Sequence, residues 1–79
     1  MTNKEKIIKS FCNALGVDKS IITDDREYNS ISEWDSVAHM VLIGKLEETF
    51  DVMLDTDDII DMSTPKKAQE ILAKHGVEF

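Results

Sequence analysis

The tetrapeptide Trp34-Asp35-Ser36-Val37 holds the residues best placed to do chemistry. Asp35 is a good N-cap, which puts Ser36 at the first position of the helix that follows. Free backbone N–H groups and the helix dipole at such an end favour a phosphate. A phosphodiester made through the Ser36 hydroxyl would be exposed and close to those donors. Asp and Ser are also common at ordinary helix starts, and on four residues alone an ordinary start accounts for both.

Other reactive side chains offer less. Ser36 and His39 lie three residues apart on one helix, the spacing of neighbours. A hydrolase needs in addition an oriented base, an oxyanion hole and a cleft, and no G-x-S-x-G turn is present. His39 is therefore expected to be a surface histidine, and no catalytic residue is expected. Asp51, Asp55, Asp57, Asp58 and Asp61 lack the central glycine and terminal glutamate of a calcium loop. His75 is expected to act as a cation near a helix end. Cys12 is the single cysteine, which excludes an internal disulfide; within an apolar-periodic segment it reads as a small buried hydrophobe. No metal site is expected.

The elements that must position Ser36 are legible from periodicity and punctuation. Thr2 to Leu15 reads as a first helix: Thr2 and Glu5 have capping-box spacing, and Ile7, Ile8, Phe11 and Leu15 form one apolar stripe. Gly16 follows as a left-handed cap. Val17 to Asp35 is too apolar for a free linker and is expected to pack back as an ordered loop, with Val17 and Ile21 in a short helical turn. Ser36 to Phe50 is the clearest helix, with Val37, Met40, Ile43, Leu46 and Phe50 on one face and Leu42 extending it. Gly44 costs it roughly 1 kcal/mol relative to Ala and is expected to let another segment approach closely. A short helix over Thr56 or Asp57 to Asp61 follows. A last helix starts at Pro65 after Thr64, buries Ala68, Ile71 and Leu72, and stops at Gly76. The expectation is an all-α fold, a small four-helix bundle of three main helices plus a short third one, in a single domain over residues 1–79.

Composition narrows the function. A chain of 79 residues buries only about 60% of its unfolded surface, too little to line a deep, dry pocket. Nine Lys and Arg against 16 Asp and Glu give a formal net charge of -7. That sign excludes a nucleic-acid binder, and no basic amphipathic helix or membrane-length stretch is present. No N-terminal signal is read, and a cytoplasmic protein, a monomer, is expected. The acidity suits steering towards basic patches on partner proteins.

From Lys4 to about Lys74 the chain resembles acyl carrier proteins and the related peptidyl and D-alanyl carrier domains. The family's attachment motif, Asp-Ser and an aliphatic residue, stands here as Asp35-Ser36-Val37. Before it come the first helix, Gly16-Val17 and a long loop, in the family's order. After it the second helix closes on Leu46-Glu47-Glu48-Thr49-Phe50-Asp51, and Thr64-Pro65 opens the last helix, again as in the family.

The resemblance implies that a phosphopantetheinyl transferase moves 4'-phosphopantetheine from coenzyme A onto Ser36, with Asp35 and Val37 completing the site. The arm would carry an acyl or aminoacyl group as a thioester to loading and transferring enzymes. Val37, Met40, Ile59 and Met62 would line a cavity for the cargo. Partners would dock on the second helix through Glu47 and Glu48, extended by Asp55, Asp57, Asp58 and Asp61. Fatty-acid carriers typically have acidic residues two and five positions after the serine, where this chain has Ala38 and Val41. With Trp34 before the motif, that departure implies a specialised carrier whose partners read an apolar patch of Ala38 and Val41. The rival reading is a small acidic helical interaction module without a prosthetic group.

Overall fold

The computed structural model describes residues 2–79. Four helices appear in order: α1 (Asn3–Leu15), α2 (Ser36–Phe50), α3 (Thr56–Asp61) and α4 (Pro65–Lys74). A 3-10 turn, Lys19–Ile21, interrupts the long loop between α1 and α2. No strand occurs among the described residues, so the all-α, four-helix expectation holds.

Local chemistry sets each boundary. Thr2 Oγ1 accepts the Glu5 backbone N–H, and Glu5 returns the bond to the Thr2 N–H, a closed capping box. Gly16 ends α1 with φ 68, a left-handed conformation that glycine adopts without steric cost. Asp55 caps α3 by accepting the Asp58 N–H, and Thr64 caps α4 by accepting that of Lys67, with Pro65 at the start.

The core forms where the helices turn their apolar faces together. Ile7, Phe11 and Leu15 of α1 meet Leu42, Ile43 and Leu46 of α2, with Ala68, Ile71 and Leu72 of α4 closing the side. The connections contribute Ile22, Trp34, Leu54 and Met62. Trp34 has no exposed surface and stands edge-on to Phe11, with ring centroids 5.4 Å apart. The loop is therefore part of the core, as its apolar content implied. Its backbone is also tied to the far side of the bundle: Tyr28 N–H donates to Ser63 O at 2.7 Å, and Lys66 N–H donates to Asp24 O at 3.1 Å.

Two expectations about α2 are corrected. Its buried side is His39, Leu42, Ile43 and Leu46, whereas Val37 and Met40 are 73% and 57% exposed. The helix is apolar around most of its circumference, so periodicity alone admitted a neighbouring stripe; the seat of Trp34 against His39 selects the real one. Gly44 has open space within 4 Å of where a Cβ would sit, so no segment approaches it. In the loop, the helical turn contains Ile21 but not Val17.

Candidate functional site

Ser36 is exposed at the first position of α2. The carboxylate of Asp35 accepts the Ala38 backbone N–H at 2.8 Å, so the cap fixes the first turn that carries the serine. The Ser36 hydroxyl has no hydrogen-bond partner among the described residues, and the N–H groups of Ser36 and Val37 lie ahead of the first intrahelical bond. An accessible hydroxyl beside unpaired donors at a positive helix end fits a phosphodiester attached there.

Around Ser36, α2 presents an apolar strip. Val37, Met40 and Val41 are exposed and Ala38 is half-buried. Val37 thus flanks the serine at the surface and Met40 lies in the strip, where both were expected to belong to the core stripe. Further along, Glu48 is exposed, while Glu47 is half-buried and accepts the Leu54 N–H at 2.9 Å, closing the turn after α2.

His39 corrects the surface reading directly. It is 9% exposed and both ring nitrogens are engaged. Trp34 Nε1–H, which can only donate, gives to His39 Nδ1 at 3.0 Å. Nε2 faces the Ile59 carbonyl, an acceptor, at 2.9 Å and must therefore carry the hydrogen. These partners assign the Nε2–H tautomer and leave no lone pair for Ser36, which removes a Ser-His nucleophile pair. One buried imidazole joins the loop, α2 and α3.

Asp58 was expected on the acidic docking face; it is 2% exposed. Lys74 Nζ and His75 Nε2 donate to its two carboxylate oxygens at 2.7 and 2.8 Å. The Lys74 bond first, and then that of His75, hold its pKa down to about 2. His75, at the C-terminal cap of α4 as expected, is in addition a partner of Asp58. Asp51, Asp55, Asp57 and Asp61 remain exposed, with Asp61 3.5 Å from Lys67 Nζ.

The expected cavity is only partly realised. Ile59 and Met62 line a surface cleft of about 270 Å³ together with Tyr28, His39, Ile60 and Ser63; Val37 and Met40 are not among its walls. Cys12 is half-buried, and desolvation pushes its thiol up from the ordinary range, the reverse of nucleophile activation. No cluster of three or more His, Cys, Asp or Glu side chains suited to a metal occurs among the described residues. No described helix is long and apolar enough to cross a membrane.

Sequence reasoning missed the two buried polar ties. A signal for each existed: His39 falls on the spacing of Leu42, Leu46 and Phe50, and Lys74-His75 is a basic pair at the end of a helix in an acidic chain.

Comparison with known proteins agrees with this geometry. The family model described as a phosphopantetheine attachment site matches residues 5–68, a span that contains Ser36. An acyl carrier protein of Syntrophobacter fumaroxidans is 37% identical over 70 residues, covering 89% of this chain and 86% of that protein. No solved structure matches significantly. The exposed serine at the head of α2 lies inside the span that the family model covers, and the chain belongs to the phosphopantetheine-attachment family of carrier proteins.

Proposed function

We propose that Ser36 Oγ is the attachment point of the 4'-phosphopantetheine arm, and that this chain presents an acyl or aminoacyl cargo on it to separate enzymes. The carrier function and the cofactor follow from the family. The observation that supports the residue is the exposed, unpartnered Ser36 hydroxyl directly after the Asp35 cap. When bound, the arm supplies a terminal thiol that holds the cargo as a thioester.

The chain's own residues do the positioning. Asp35 holds the first turn of α2 in place through the Ala38 N–H. Unpaired backbone donors and the helix dipole offset the phosphodiester charge. Val37, beside the serine, offers the aliphatic surface that completes the attachment motif. As in the family at large, the carrier performs no catalysis.

The docking surface is α2. Val41, with Ala38 at its edge, forms the apolar part next to the arm, and Glu47 and Glu48 supply negative charge further along. Partners that fit this face are a phosphopantetheinyl transferase and the loading and transferring enzymes of one dedicated pathway. The chain acts as one domain over residues 1–79, as a monomer in the cytoplasm.

Intact mass after incubation with coenzyme A and a broad-specificity phosphopantetheinyl transferase tests the site. The parent gains one phosphopantetheine unit and Ser36→Ala gains none. A gain in folded Ser36→Ala, or no gain in the folded parent with several transferases, overturns the assignment.

A further inference from the structure

We propose that Trp34 and His39 close the bundle interior to the cargo. On that reading this carrier holds a short acyl or aminoacyl group in the surface cleft beside α3 and does not thread a long aliphatic chain between its helices. The inference rests on Ser36 as the attachment point.

The loop sets Trp34 two residues before Ser36, against His39 of α2, which in turn reaches Ile59 of α3. Trp34 fills the interior there: it has no exposed surface, its edge meets Phe11, and its indole N–H is bonded to His39. Behind it, Leu42, Leu46 and Met62 are likewise buried. Moving the indole aside would strand its N–H and His39 Nδ1 in an apolar interior, where an unmade hydrogen bond is costly. No buried side-chain polar atom among the described residues lacks a partner, so the interior has no unmet polar demand that a ligand would satisfy.

The cleft outside the plug is the available shelter. His39 forms its inner wall, one turn of α2 from Ser36 and about 4.5 Å along the helix axis. An enclosed apolar cavity of roughly 150 Å³ holds one benzene ring, so an open cleft of about 270 Å³ takes on the order of ten non-hydrogen atoms. Ile59, Ile60 and Met62 give it an apolar floor. The hydroxyls of Tyr28 and Ser63 make no side-chain hydrogen bond among the described residues, which leaves them for a polar group on the cargo.

The test is a chain-length series. A broad-specificity phosphopantetheinyl transferase loads the protein with acetyl-, butanoyl-, hexanoyl- and octanoyl-phosphopantetheine from the matching coenzyme A thioesters, releasing adenosine 3',5'-bisphosphate, and intact mass verifies each product. Thermal midpoint and Trp34 emission are then read; Trp34 is the only tryptophan. A methylene drawn into the core would raise the midpoint by roughly 3 to 6 °C. Threading would therefore lift octanoyl above butanoyl by roughly 12 °C or more. We expect a difference below roughly 3 °C and unchanged Trp34 emission. In Trp34→Leu, where a smaller side chain leaves room, the midpoint should climb with chain length. A steady climb in the parent with a shift of Trp34 emission overturns the inference while leaving the carrier reading intact. Failure of every thioester to load onto the folded parent overturns both. If Trp34→Leu does not fold, the parent series alone decides.

Discussion

Replacing His39 by leucine removes both hydrogen bonds that join the loop, α2 and α3 while nearly preserving apolar volume. The Trp34 indole N–H and the Ile59 carbonyl are then left without their partner. The buried Trp34 donor costs roughly 1–3 kcal/mol when orphaned, while the part-buried Ile59 carbonyl at the cleft wall turns to water, so the substitution should cost roughly 1–3 kcal/mol. A domain of this length has a total stability of roughly 4–12 kcal/mol, so the loss is a large fraction of the total at the weaker end of that range. Urea unfolding followed by far-UV circular dichroism measures it. Adding Trp34→Phe deletes the stranded donor, and the double variant should be less destabilised than the sum of the single losses by roughly 1–2 kcal/mol. Additive losses, or a His39→Leu cost below roughly 0.5 kcal/mol, would refute the claim that this imidazole is a structural tie.

Four further outcomes follow from the geometry. Asp58 has a folded-state pKa below the usual carboxylate value, so the stability it contributes is complete above about pH 4 and is lost as pH falls through about 2. Asp58→Asn should flatten that part of the pH profile of the urea midpoint. Gly44→Ala should add roughly 0.5–1 kcal/mol in thermal unfolding, because the position is exposed, helical and open to a methyl group. Asp35→Ala should cost about 1 kcal/mol by removing the α2 cap, lowering the midpoint by roughly 4–8 °C. Val41→Glu should leave folding unchanged and reduce cargo transfer by a cognate partner; full transfer by that variant would rule out docking on the apolar strip.

Helix boundaries were legible because capping chemistry is local. Thr2 with Glu5, Gly16, Asp35, and Thr64 with Pro65 each act within one turn of the residues they cap. The place of Ser36 at the head of α2 was legible for the same reason, whereas its proposed role as the attachment point came from the family resemblance. Which face of α2 turns inward was not, since Val37, Met40 and Val41 are as apolar as Leu42 and Ile43. The choice is made by Trp34, which reaches His39 from the loop. Asp58 was misplaced because its partners lie 16 and 17 residues further along the chain. A carboxylate in an acidic run looks like any other until the basic end of α4 is folded against it.

The three ties on and just after α3 bear on the order in which the molecule assembles. Six residues are too few to hold a helix in water, because nucleation fixes several dihedrals for each bond gained. α3 gains its support from His39 at Ile59, from Lys74 and His75 at Asp58, and, through the segment that follows it, from Tyr28 at Ser63. All of those partners belong to parts of the chain that must already be docked. α3 should therefore consolidate last, after α1, α2 and α4 have met. In stopped-flow kinetics, substitutions within it should speed unfolding and leave the refolding rate almost unchanged.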